Sequence, residues 1–153
     1  AGVPDVTSVW ADECGSSRMM LAVAIKQRYP GHARQAGHIA SQCHVGAYAG
    51  KYVVVVDDDI DVSNLEEVMW AVVTRSDPAT SIDIIKNTWS TPLDPRITPD
   101  QRKTGDFTNS RAIIDACRPF HWMDEFPLVN MPSKELSKET RDKFGWVLDE
   151  PKK

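Results

Sequence analysis

The sequence predicts an α/β fold: a layered sheet with helices packed on it, followed by an irregular tail and a terminal helix. Three observations carry this. Val53 to Val56 is an unbroken β-branched run, the composition of a strand covered on both faces. Met19 to Ile25 (MMLAVAI) is a second continuous apolar run of strand length. Between them Ala33, Ala36, Ile39, Ala40 and Cys43 recur at helical spacing. Strand and helix therefore alternate, as in layered sheets with right-handed crossovers.

In chain order, Val6 to Trp10 reads as a short β-branched strand, ended by the turn residues Gly15, Ser16 and Ser17. The Met19–Ile25 strand stops at Tyr29-Pro30-Gly31, because Pro30 pushes Tyr29 out of helical geometry. A helix is predicted over His32 to Cys43, and the glycine-rich stretch from His44 to Gly50 is predicted as a loop. Tyr52 to Val56 forms the central strand, which Asp57-Asp58-Asp59 ends. Ser63 and Glu66 have capping-box spacing, and Leu65, Met69, Val72 and Val73 stripe the helix that follows, up to Arg75-Ser76-Asp77-Pro78. Ser81 to Asn87 alternates as a further strand. Pro92, Pro95 and Pro99 then punctuate a long loop reaching Asn109. A short strand is predicted over 112–116, an irregular aromatic stretch over 119–132, and a last helix from Ser133 to Trp146. Residues 1–90 are thus expected to form the α/β core. Residues 91–153 are expected to pack on it, or on a partner subunit, as loop, strand and helix.

Composition excludes several classes. With 153 residues and 41% hydrophobic content, the chain can bury a core without disulfides. Its three cysteines stand at wide spacings with no Cys-x-x-Cys, so a reducing cytoplasm is the expected compartment. A net charge of −4 argues against nucleic acid as a partner. No apolar run reaches the roughly 20 residues that span a bilayer. There is no G-x-G-x-x-G and no Walker loop. The chain opens Ala1-Gly2-Val3-Pro4-Asp5 without an initiator Met and is expected to be a piece of something longer.

Acidity is local: residues 57–83 hold eight acidic side chains and one basic, Arg75. Carboxylates crowded at a strand's end need a cation or a base. Asp57 and Asp59 could hold Mg²⁺ for phosphoryl transfer, or they could pair with Arg75 and fix the strand end against the following helix. Cys43-His44 has the residue types of a nucleophile and its base, though adjacent side chains point apart.

One stretch is more specific. Lys51 to Asp61 (KYVVVVDDDID), Glu67 to Arg75 (EVMWAVVTR) and Asp77-Pro78 follow one another in an order that resembles the carboxy-terminal part of the UbiD family of decarboxylases. Ala1 to Val6, Ile25-Lys26-Gln27, Gly31 to Gly37, Pro92 to Pro95 and Ile114-Asp115-Ala116 add to the resemblance, which covers nearly the whole chain. It implies part of a carboxy-lyase acting reversibly on aromatic, heteroaromatic or α,β-unsaturated acids. It implies prenylated FMN with Mn²⁺ and K⁺ in the complete enzyme, held with a Glu-Arg-Glu catalytic set by an amino-terminal, flavin-binding portion. This chain would then hold no cofactor and be inactive alone. It would dimerise, or assemble further, and cover one side of the pocket that receives the carboxylic acid and releases CO₂. In members of this family the segment before the central strand faces the active site, and some carry a basic residue that reaches the cofactor phosphate. The corresponding position looks like the uncharged Val45, which leaves His44 beside it as the residue implied for that role. Tyr48 and Ala49 would line the substrate side. Asp57, Asp59 and Arg75 would be structural. The competing expectations are a stand-alone oligomerisation module and the Asp57/Asp59 phosphoryl-transfer domain.

Overall fold

The computed structural model describes residues 2–130 and 132–147. Five strands form one mixed sheet: β1 (Val6–Ala11), β2 (Met20–Ile25), β3 (Tyr52–Asp57), β4 (Ile82–Trp89) and β5 (Thr108–Ala116), in the order β1-β2-β3-β5-β4. The three central strands run parallel, and each edge strand is antiparallel to its neighbour. Helix α1 (His32–Gln42) connects β2 toward β3, and α3 (Leu65–Arg75) follows β3.

The four valines explain the layering. Side chains alternate across a strand, so Val53 and Val55 join Leu21, Val23, Ile25 and Ile113 in the core against Ala33 and Ala36 of α1. Val54 and Val56 join Ala22, Ala24 and Ala116 in a second core against Val68 and Ala71 of α3. Helix α1 approaches so closely that a Cβ on Gly37 would stand 2.4 Å from Ile113 Cγ2. Small residues on that face therefore set the distance between helix and sheet.

Four local expectations are corrected. Residues 44–50 are not a loop: His44–Ala49 forms the short helix α2, capped by the Cys43 sulfur, which accepts from the Gly46 amide at 3.4 Å. Gly46 sits where a Cβ would lie 1.6 Å from the Ala40 carbonyl oxygen, so this glycine permits a tight helix–helix turn. The α3 cap is Asn64, whose side chain accepts from the Glu66 amide, while Ser63 donates to Asp61. The polar 92–109 stretch contains α4 (Pro99–Thr104), with a capping box between Thr98 and Gln101. The strand expected over 112–116 is nine residues long and lies between β3 and β4. The sheet thus draws strands from both 1–90 and 91–153. The last helix, α5 (Lys134–Phe144), falls within its expected span. Among the described residues no helix is long and apolar enough to cross a membrane.

Candidate functional site

Helix α2 enters the amino-terminal end of β3 and presents an aromatic surface there. The Tyr48 ring meets Trp89, at the end of β4, edge-on with centroids 4.7 Å apart, and His44 lies 5.8 Å from Tyr48. Tyr48 is 45% exposed and Val45 72% exposed. Val45 and Gly46 border an apolar groove of about 500 Å³, lined further by Val9, Leu21, Ile39 and Cys43. A polar hollow of about 490 Å³ opens beside the start of β3, lined by Lys51, Arg96, Gln101 and Asn109 among others. The side chain of Ala49 lies outside the described residues.

Two buried charges hold this end of the sheet. Asp94 is fully buried and accepts from Lys51 Nζ at 3.0 Å, the Arg96 amide at 2.9 Å and Asn109 Nδ2 at 3.0 Å. Burial works to raise its pKa, but the bonds from Asn109, the Arg96 amide and Lys51 outweigh it and hold the carboxyl below its ordinary value. Arg111, in β5, is 2% exposed. It donates from Nε to Thr88 Oγ1 at 3.0 Å, and from Nη1 to the carbonyls of Ser41 (2.9 Å), Gly46 (2.6 Å) and Gly50 (2.9 Å). Its Nη2 donates to the carbonyls of Ala47 and Trp89. Burial lowers its pKa. The sequence marks Arg111 only by parity: it stands two residues before Ile113 and so shares its inward face.

The acidic cluster lies at the opposite end, where the parallel strands terminate. The structure brings Asp57, Asp59 and Arg75 together. Asp57, 1% exposed, accepts from Arg75 Nη1 (3.1 Å), the Arg118 amide (2.8 Å), Arg118 Nε (3.0 Å) and Gln27 Nε2 (2.7 Å). Arg75 also makes a two-point contact with Asp59, both bonds 2.8 Å. That hydrogen bonding holds the Asp59 carboxyl below its ordinary value. With both oxygens engaged and no exposed face, Asp57 joins β3 to α3 and to the segments that follow β2 and β5. An incoming phosphoryl group or metal ion would have to displace those donors. Asp61 is taken up by Ser63.

The other titratable candidates are dispersed. The Cys43 sulfur caps α2, while the His44 ring turns to Tyr48, so no nucleophile–base pair forms. His32 is buried, with Nε2 bonded to the Pro4 carbonyl, and His38 pairs with Asp83 at 3.0 Å. Among the described residues no three His, Cys, Asp or Glu side chains converge to hold a metal.

Residues 1–116 match the family described as 3-octaprenyl-4-hydroxybenzoate carboxy-lyase C-terminal domain. The chain belongs to the UbiD family. A phenolic acid decarboxylase of Sedimentibacter hydroxybenzoicus is 40% identical over 100 residues, which are 65% of this chain and 19% of that protein. Among solved structures, the UbiD-class enzyme HmfF from Pelotomaculum thermopropionicum in complex with FMN superposes with a TM-score of 0.74 at 29% identity. That match covers 88% of this chain and 28% of that one. The open form of Sedimentibacter hydroxybenzoicus vanillic acid decarboxylase gives 0.71 at 29% identity, covering 97% of this chain and 30% of that one. The chain thus spans less than a third of the length of these UbiD relatives.

Two predictions follow from the charges. Arg75→Ala leaves Asp57 and Asp59 short of donors and should cost about 3–5 kcal/mol in urea unfolding. Asp59→Asn, at a carboxylate whose side chain is 41% exposed, should cost about 1 kcal/mol or less. Equal losses would contradict the assignment of Asp57 as the junction. For Asp94 the folded pKa lies below the unfolded one. Its contribution is complete above about pH 4 and is lost as pH falls through the folded value. Urea midpoints measured from pH 7 downward should therefore fall less steeply in acid for Asp94→Asn than for the wild type.

Proposed function

We propose that the chain is the carboxy-terminal part of a UbiD-type decarboxylase acting on aromatic or α,β-unsaturated carboxylic acids, and that it forms one wall of the substrate pocket through α2. The observation that carries this is the family match over 1–116 in a chain spanning under a third of its relatives. The site fits that division of labour. α2 offers an exposed Tyr48, braced by Trp89. A phenolic ring packs well against such edge-and-face aromatic surfaces.

The described residues do not suit a flavin or metal site. No ligand set converges, the acidic cluster is engaged by Arg75 and Arg118, and His44 is a single imidazole on a surface helix. We therefore assign the prenylated FMN and its metal ions to the rest of the enzyme, and no reaction step to this chain. The apolar groove between β1 and α1, continuous with α2 through Val45, is the surface we assign to contact with that remainder. Its apolar lining gains from being covered.

The test uses the full-length enzyme and a panel of phenolic carboxylic acids that includes vanillic acid. Tyr48→Ala should raise KM for the best-used acid about tenfold, the effect of losing one aromatic contact, with a smaller change in kcat. Unchanged kinetics would overturn the placement of α2 at the pocket. Turnover of none of the acids by the wild type would overturn the substrate class. Turnover by the 153-residue chain alone would overturn the assignment of the chemistry to the remainder.

A further inference from the structure

Helix α2 has little reason to exist on its own. It is six residues long, far below the length at which an isolated helix is stable, and glycine occupies position 46 and the position that ends it. The last carbonyls of a helix lack partners within it. Arg111 donates to that of Ala47, to that of Gly50, and to that of Gly46, which also accepts from the Gly50 amide. A guanidinium has five N–H donors in a fixed fork and stays protonated. Here they meet six acceptors, on the last turn of α1, on α2, and on the end of β4.

One nitrogen matters most. Arg111 Nη2 donates to the carbonyl of Ala47, the residue before Tyr48, and to the carbonyl of Trp89. Tyr48 and Trp89 are the two residues whose rings meet at 4.7 Å. The same donor therefore sets the backbone spacing of both halves of the aromatic contact. We infer that Arg111 is the positioning residue of the pocket wall, fixing α2 and the Tyr48–Trp89 pair from inside the sheet. The inference rests on the reading of α2 as pocket wall only for its kinetic consequence. Lysine cannot replace Arg111: its three donors radiate from one point and cannot span carbonyls on three segments.

The test is made on the full-length enzyme with Arg111→Lys and Arg111→Ala. Backbone hydrogen exchange should speed up about tenfold or more in residues 44–50 while residues 53–56 and 111–116 keep their protection. KM for the best-used phenolic acid should rise about tenfold, with kcat within about threefold of wild type. Millimolar methylguanidinium should restore both readouts in Arg111→Ala, because the carbonyls that bound the side chain remain in place. Exchange that is unchanged in 44–50, or accelerated equally across the sheet, would overturn the role of Arg111. Selective loosening of 44–50 with KM unmoved would overturn the placement of α2 at the pocket instead. If neither variant folds, Trp89→Ala leaves the Arg111 side chain in place and removes the brace on Tyr48. It must then raise KM about as much as Tyr48→Ala, and an unmoved KM sinks the proposal.

Discussion

A guanidinium taken out of water is costly unless its protons find acceptors, and Arg111 finds them in five main-chain oxygens and the Thr88 hydroxyl. That requirement ties three neighbouring segments to one side chain. The last turn of α1, α2 at Gly46 and Ala47 with Gly50 just after it, and the end of β4 all present carbonyls to one cation. Partial negative charge gathers at the carboxy-terminal ends of helices, so a cation placed there is favourable without a carboxylate partner. The outer surface of α2 is therefore fixed from within, and its aromatic residues are held where β3 begins.

The other end of the sheet obeys the same constraint with the signs reversed. Asp57 is a buried anion, and Arg75 approaches it from α3, Gln27 from the segment after β2 and Arg118 from the segment after β5. The two junctions cap opposite ends of the parallel strands. Cys117, a core residue just after β5 at the Asp57 end, has its thiol pushed well up by burial, with the nearby Asp57 and Asp115 adding to the effect. The charges that first suggest chemistry are thus committed to holding the sheet. What the domain offers outward is shape: an apolar groove and a braced aromatic pair.

How much of this was legible in the sequence depends on distance along the chain. Val53 to Val56 and the small face of α1 declare themselves locally, since burial on both faces and close packing each leave a residue pattern. The pairing of Asp57 with Arg75 spans 18 residues and joins a strand end to the helix that follows it. Helix α2 is different. Its composition, with Gly46 inside it and Gly50 ending it, reads as a loop, and its stabilising partner lies about 65 residues away in β5. No local propensity reports such a contact. Ser63 and Asn64 are both good capping residues, and only geometry selects Asn64 as the α3 cap. At the start of β5, Thr108, Asn109 and Ser110 are polar, and their strand conformation comes from pairing with β4.

We place α2, set by Arg111, at the substrate pocket of a UbiD-type decarboxylase. The most direct measurement is a crystal structure of the full-length enzyme with a phenolic carboxylic acid bound. The Tyr48 or Trp89 ring should stand in van der Waals contact with the bound acid, and the Arg111 side chain should still be bonded to the carbonyls of Gly46, Ala47 and Gly50. A bound acid remote from α2, with Tyr48 facing solvent, would contradict it.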